Sequence, residues 1–238
     1  MKLLYTFASR SRPEKFIKCI ENIYINSRHD DFVILASLDS DDTTMNNIDI
    51  TEKMGRYDKL YYTFHTPPEK DKNKIAAINR SMIGAPDYDI LINMSDDFVF
   101  IEKGFDKIII DAFRHPHPDI IFDLDQLIHF PDQHQGKNCM TMYIAGRKYY
   151  ERDGFIYDPR CKSLWADIIS QETGQIRGKY KFVNQRIFNH LHPSFMDCKY
   201  DAQYLLTEGR EVREHDYAVY RTAKIEYDKE NILPLRNP

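Results

Sequence analysis

Short apolar runs and helical repeats alternate along the first hundred positions. Near-continuous runs over 2–8, 32–38, 59–64 and 89–94 predict strands, the shape expected of strands covered on both faces of a sheet. Between the first two, Phe16, Ile17, Ile20, Ile23 and Tyr24 recur at helical spacing and predict a helix over 13–27. Pro13 suits its first turn, and Glu14 suits the positive end of its dipole. Ile75, Ala76, Ile78, Asn79 and Met82 predict a second helix over 72–83. This alternation predicts an α/β fold with a mostly parallel, Rossmann-like sheet flanked by helices.

After position 100 the rhythm becomes mixed. A helix is expected over 104–114, strands over 120–123 and 140–145, and a polar loop over 131–139. A helical turn at 148–152, a loop at 158–161, a helix beginning at 164–171 and strand segments over 182–192 follow. The chain from 201 onward mixes helix-like and extended pieces. With no repeats or linker, residues 1–238 read as one domain: a binding half (1–100), a mixed second half (101–215) and a C-terminal tail (216–238).

Composition narrows the classes. The 238 residues are 42% hydrophobic and 29% charged, as expected of a folded soluble protein. No apolar run approaches the roughly 20 residues of a membrane span. Arg10 and Arg12 interrupt the N-terminus too early for a signal peptide. Cys19, Cys139, Cys161 and Cys198 are widely spaced, which points to reduced thiols and a cytoplasmic location. A net charge of -4 gives no global attraction for nucleic acid.

Polar clusters follow three of the predicted strands: Ser9-Arg10-Ser11-Arg12, Asp39-Ser40-Asp41-Asp42 and Ser95-Asp96-Asp97. In a parallel sheet these ends share one edge, where ligands of α/β proteins bind. Adjacent Asp96 and Asp97 repel each other, so a divalent cation, a basic side chain or solvent must offset them. A solvated turn between two strands is the alternative. His190-Leu191-His192 on a strand would aim both imidazoles at one side, and imidazole with carboxylate suits Mn or Zn, whereas Mg leans on the Asp pair. His115-Pro116-His117-Pro118 has a similar pattern in an expected loop and is assigned no function. Trp165 lies two residues before Asp167 at a helix start, an aromatic wall beside an acid able to take a hydroxyl proton. Lys72, Lys74, Asn79 and Arg80 could meet phosphate or form a solvated face. Arg147, Lys148, Arg152, Arg160 and Lys162, with Tyr149 and Tyr150 interleaved, form a second basic stretch.

Taken in order, Thr6–Glu14, Ser37–Asp42, Asn73–Ser81 and Ile92–Asp97 resemble the GT-A glycosyltransferases, especially the family 2 group of inverting enzymes. The resemblance covers residues 1–100 well and 140–195 loosely. It implies a single GT-A-type domain, a nucleotide-sugar donor and a divalent cation, Mn2+ or Mg2+. By it, Ser9, Arg10 and Arg12 would line the nucleotide pocket, and Asp39 would meet the base with Asp41 near it. Lys74, Asn79 and Trp165 would lie near the donor, and Asp96 near ribose or sugar. Asp97 and His190, with His192 as alternate, would hold the metal. Asp167 would be the general base, with Asp153, Asp158 and Glu172 competing for that role. The acceptor implied is a glycan, a protein or a modified nucleic acid. Met94 departs from the pattern, because family members often carry an acid there. The other classes open to these residues are a metal-dependent nucleotidyl or phosphoryl transferase and a non-catalytic sugar-binding module.

Overall fold

Leu3, Leu4, Tyr5, Thr6 and Phe7 are all fully buried, so the first strand lies at the centre of the protein. The structure, a computed structural model, describes residues 1–115, 117, 121–193 and 202–230. Cys198, Ile120 and the end of the tail beyond 230 lie outside the described residues. In chain order the first half contains β1 (Leu3–Ala8), α1 (Pro13–Asn26), β2 (Phe32–Asp39), α2 (Ile48–Met54), β3 (Leu60–His65), α3 (Lys74–Arg80), β4 (Ile90–Met94) and β5 (Phe98–Phe100). The second half contains α4 (Phe105–Ala112), β6 (Leu127–His129), β7 (Ile144–Gly146), α5 (Arg147–Asp153), α6 (Ala166–Ile176), β8 (Tyr180–Phe182), β9 (Phe188–His190), α7 (Ala202–Thr207) and α8 (Arg210–Glu230).

The main sheet has seven strands in the order β3-β2-β1-β4-β7-β6-β8. β3, β2, β1 and β4 run parallel, while β7 is antiparallel to both of its neighbours, β4 and β6. Side chains alternate across β1: Leu3, Tyr5 and Phe7 enter the core that α1 covers, and Leu4 enters the core on the other face. α1 supplies Phe16, Cys19, Ile20 and Ile23 to the first of these, with Pro13 and Glu14 in its first turn. The sheet is therefore apolar on both faces, as the continuous runs in its central strands require.

The expected α/β architecture with a mostly parallel sheet is present. Several details differ. Ile48–Met54 is helical, capped by the Asn47 side chain accepting from Ile50 N. The strand expected at 140–145 begins later, at Ile144, and pairs with the unexpected β6. Near the strand expected at 120–123, Phe122 makes only an isolated bridge to Arg114. The segments expected over 182–192 belong to two sheets, because β8 joins the main sheet while β9 pairs with β5. The described part of the tail is the end of α8, a 21-residue helix that begins before it at Arg210.

α8 is tied to the second half by a buried carboxylate. Asp216 accepts from the backbone N–H groups of Lys162, Ser163 and Leu164 at 2.8–2.9 Å and is fully buried. Trp165 then stacks on Tyr220 and packs on Tyr217, and Glu172 meets Tyr220 and Lys224. Asp216→Ala strands three amide donors and should cost about 3 kcal/mol or more, since bonds to charged groups contribute roughly 1.5–3 kcal/mol each. Asp216→Asn should cost less. Denaturant midpoints compare the two, and an unchanged midpoint for the alanine variant would show that another group holds this segment.

Candidate functional site

The carboxyl ends of β1, β2 and β4 lie side by side, as the register pairs Ala8 with Ser37 and Phe7 with Met94. Their three polar clusters meet there. Ser9 Oγ donates to Asp96 Oδ2 at 2.7 Å, and Arg12 Nη1 donates to Asp96 Oδ1 at 3.1 Å. Arg10 Nη1 bridges Asp39 at 3.0 Å and Asp41 at 2.6 Å. Arg80 Nη2 takes the other Asp39 oxygen at 2.6 Å, and Lys72 meets Asp41 at 3.2 Å. Asp42 is a loop anchor, accepting from Ser11 N and from Thr44 N and Oγ1. Ser11 is held at φ 60, an uncommon conformation for a residue with a side chain.

The Asp96-Asp97 turn joins two strands, yet it is buried: Asp96 is 8% and Asp97 5% exposed. The two acids are therefore separated electrically. Burial and the charge of Asp97 raise Asp96, with Arg12 and Ser9 pulling it back. Burial opposes ionisation of Asp97 too, but His190, Ser95 and Tyr204 outweigh it and hold this carboxyl well below the usual range. Tyr204 Oη donates to Asp97 Oδ2 at 2.6 Å, while Asp97 Oδ1 is buried without a hydrogen-bond partner.

His190 reaches this turn because β9 pairs with β5 in a register that sets His190 opposite Phe98. Its Nε2 is 3.6 Å from Asp97 Oδ2, and its Nδ1 is 3.5 Å from Asp132 Oδ2. These are charge contacts rather than formed hydrogen bonds, and Nδ1 has no hydrogen-bond partner. Asp132 is fixed by His134 N, Gln135 N and Thr141 Oγ1. Burial alone would lower the imidazole, but Asp132 and Asp97 raise it from 6.5 to about 9.

Of the residues singled out in the sequence, Ser9, Arg10, Arg12, Asp39, Lys74, Asp96 and Asp97 line one cavity. Asp167 and His190 line a second that shares Lys74, beside Asn93, Thr141 and Tyr157. A third, again sharing Lys74, opens past Arg10, Lys72 and Lys162. Asp41 holds Arg10 and Lys72 from outside these linings. Two expectations change. Asn79 is turned to the backbone of Ile156 and Tyr157, bracing α3 against the second half. Trp165 packs on α8 rather than on a cavity, with its backbone at φ 62. His192 lies past the end of β9 yet packs on the His190 ring, with centroids 5.3 Å apart, and pairs with Glu208 at 2.8 Å.

Asp153, Asp158 and Glu172 are engaged by Arg177, Arg160 and Tyr220 respectively, away from the shared cavities. The basic stretch of the second half is largely paired, through Arg147 with Glu151, Arg152 with Asp125, and Arg160 with Asp158. Two site residues were missed. Asp132 comes two residues after the last of Leu127, Ile128 and Phe130, a weaker form of the strand-then-acid signature at Asp39 and Asp96. Tyr204 on α7 carries no local signal; only its burial and its contacts reveal it.

The metal-ligand chemistry of this edge can be tested against its atoms. Adjacent ligands about 2.1 Å from one ion lie roughly 3–3.5 Å apart, close to the Asp97–His190 spacing, and Asp97 Oδ1 is unspent. Among the described residues, no group of three or more His, Cys, Asp or Glu side chains is placed to hold a metal ion. Asp97 and His190 thus fit a cation that completes its shell with ligand oxygens and water, as ions bound together with phosphates do.

No protein-family model matches the chain, and no curated protein matches it in sequence. Solved structures do match. A mannosyltransferase from Pyrobaculum calidifontis, in complex with GDP-Man and Mn2+, superposes over 82% of this chain with a TM-score of 0.63 at 11% identity. The fold is GT-A. Residues 1–349 of S. aureus TarS with UDP-GlcNAc match over 85% of this chain (TM-score 0.59, 13% identity). Glucosyl-3-phosphoglycerate synthase from Mycobacterium tuberculosis, with Mn2+, UDP and phosphoglyceric acid, matches over 91% (TM-score 0.54, 13% identity). The chain spans 58% of the length of the first and 60% of the second. Among the described residues, no helix of this GT-A protein is long and apolar enough to cross a membrane.

The raised His190 yields a pH prediction for metal-free protein. The fold holds this proton more tightly than the unfolded chain does, so His190 stabilises below about pH 6.5 and loses that contribution as pH climbs through about 9. The Tm difference between the parent and His190→Gln should shrink across that window. A difference that stays constant would remove the imidazolium from the site.

Proposed function

We propose that this protein is an inverting, metal-dependent glycosyltransferase that moves a sugar from a nucleoside-diphosphate sugar to an acceptor hydroxyl. The observation that carries the reading is the pairing of buried Asp97 with half-buried His190, one carboxylate oxygen unspent, at the ligand-binding edge of a GT-A sheet. The complexes of the structural neighbours with Mn2+ and nucleotide or nucleotide sugar support it.

In this reading Arg10, Ser9 and Asp39 receive the nucleoside, with Asp41 holding Arg10 in place. Lys74 faces the diphosphate. Asp96, held by Ser9 and Arg12, orients ribose or sugar. A divalent cation, Mn2+ or Mg2+, held by Asp97 and His190, would supply charge neutralisation of the diphosphate leaving group. Asp167, in the adjoining cavity, takes the proton from the attacking hydroxyl as that oxygen approaches the anomeric carbon from the face opposite the leaving group. One displacement of this kind inverts the centre. A two-metal nucleotidyl or phosphoryl transferase is disfavoured, since such sites need carboxylates enough to clamp two ions.

A thermal-shift screen of nucleoside-diphosphate sugars with Mn2+ should raise Tm for at least one donor, because a ligand that binds only the native state stabilises it. Asp97→Ala should abolish the metal-dependent part of that shift. If no donor shifts Tm with either ion, the reading fails. Asp167→Asn should keep the shift but lose at least about a hundredfold in turnover, the lower range for removing a general base. Full turnover by that variant would move the base elsewhere.

A further inference from the structure

The α6 helix presents Asp167 and Gln171 one turn apart, on the same face. The segment 138–140 docks along that face. Gln171 Oε1 accepts from Met140 N at 2.7 Å, and its Nε2 donates to Asn138 O at 3.4 Å. The two backbone groups flanking Cys139 are therefore clamped to α6, and Gln171 is itself buried. Between them, Cys139 Sγ donates to Asp167 Oδ2 at 3.1 Å. The other oxygen, Oδ1, accepts from Ile168 N at 2.8 Å. Burial, then the charge of Asp167, push the Cys139 thiol well above its ordinary range, so it remains a protonated donor.

We infer that Cys139 is a positioning residue for the Asp167 carboxylate. The thiol and the Ile168 amide together fix the plane of this carboxylate, and the remaining lone pairs are left for an incoming hydroxyl. Gln171 holds the thiol in register. The role rests on the proposed function, since it matters to catalysis only if Asp167 is the base. The other titratable groups near this carboxylate are Tyr157 and Cys161, and across the shared cavity Lys74 and His190. None of them donates a hydrogen bond to Asp167 in the structure.

Loss of the thiol donor leaves the Asp167 carboxylate held by the Ile168 amide alone and free to turn out of the attacking geometry. Manganese-dependent hydrolysis of UDP-GlcNAc or GDP-mannose, with water in place of the acceptor, gives the readout, and parental kcat in Cys139→Ala overturns the inference. Cys139→Ala should lower kcat about tenfold with donor KM unchanged, a loss of orientation rather than of binding, and Cys139→Ser should recover it. A cysteine that only fills space predicts instead equal behaviour of the two variants. If Asp167→Asn keeps parental hydrolysis, the base assignment falls and this role with it. If Asp167→Asn is inactive while Cys139→Ala matches the parent in kcat and donor KM, only the role of Cys139 falls.

Discussion

Two neighbouring carboxylates cannot both be buried and charged unless each has counter-groups of its own. The Asp96-Asp97 turn meets this constraint by recruiting different parts of the chain. Asp96 draws the loop after β1 inward through Ser9 and Arg12. Asp97 draws in β9 through His190 and α7 through Tyr204. The small β5-β9 sheet exists beside the turn, and its register is what delivers the imidazole. Much of the arrangement of the second half around the first follows from the need to answer these charges.

The same logic extends outward by one shell. His190, pulled toward Asp97, is met on its other nitrogen by Asp132, whose own charge is spread over two amides and a hydroxyl. Asp39 is shared between Arg10, from the loop after β1, and Arg80, at the end of α3. Asp216 plays the corresponding part far from these cavities, gathering three amides just before the turn that leads into α6. Buried carboxylates thus act as the fasteners between segments distant in sequence, while the two apolar cores supply the bulk of the packing.

The first half of the fold was legible because its strands are buried on both faces and its first helix has a clear period. The clusters at strand ends were legible for the same reason: an apolar run that stops at charged residues marks the sheet edge. The second half was harder. Its strands are three residues long, too short to show a period, and their identity comes from partners far away in sequence. α2 was hidden because its two isoleucines, Ile48 and Ile50, stand two apart, a spacing that shows no helical period. Residue roles that depend on direction were the least legible. His192 lies past the strand end and still packs on the His190 ring, but its nitrogen is taken by Glu208. Asn79 and Trp165 had plausible chemistry and were claimed by packing, Asn79 by a backbone segment and Trp165 by two tyrosines of α8. Tyr204 could be found only once α7 was seen lying over Asp97.

The pairing of Asp39, Asp41, Asp96 and Asp97 with Arg10, Arg12, Arg80, Lys72 and His190 also shapes the field that an approaching molecule feels. A protein with a net charge of -4 and four acids at one sheet edge would ordinarily repel an anion from that edge. Here the acids are balanced at contact distance, so at separations beyond about 8–10 Å in physiological salt their fields largely cancel. Lys74, common to all three cavities, then adds a cation where those fields have been cancelled.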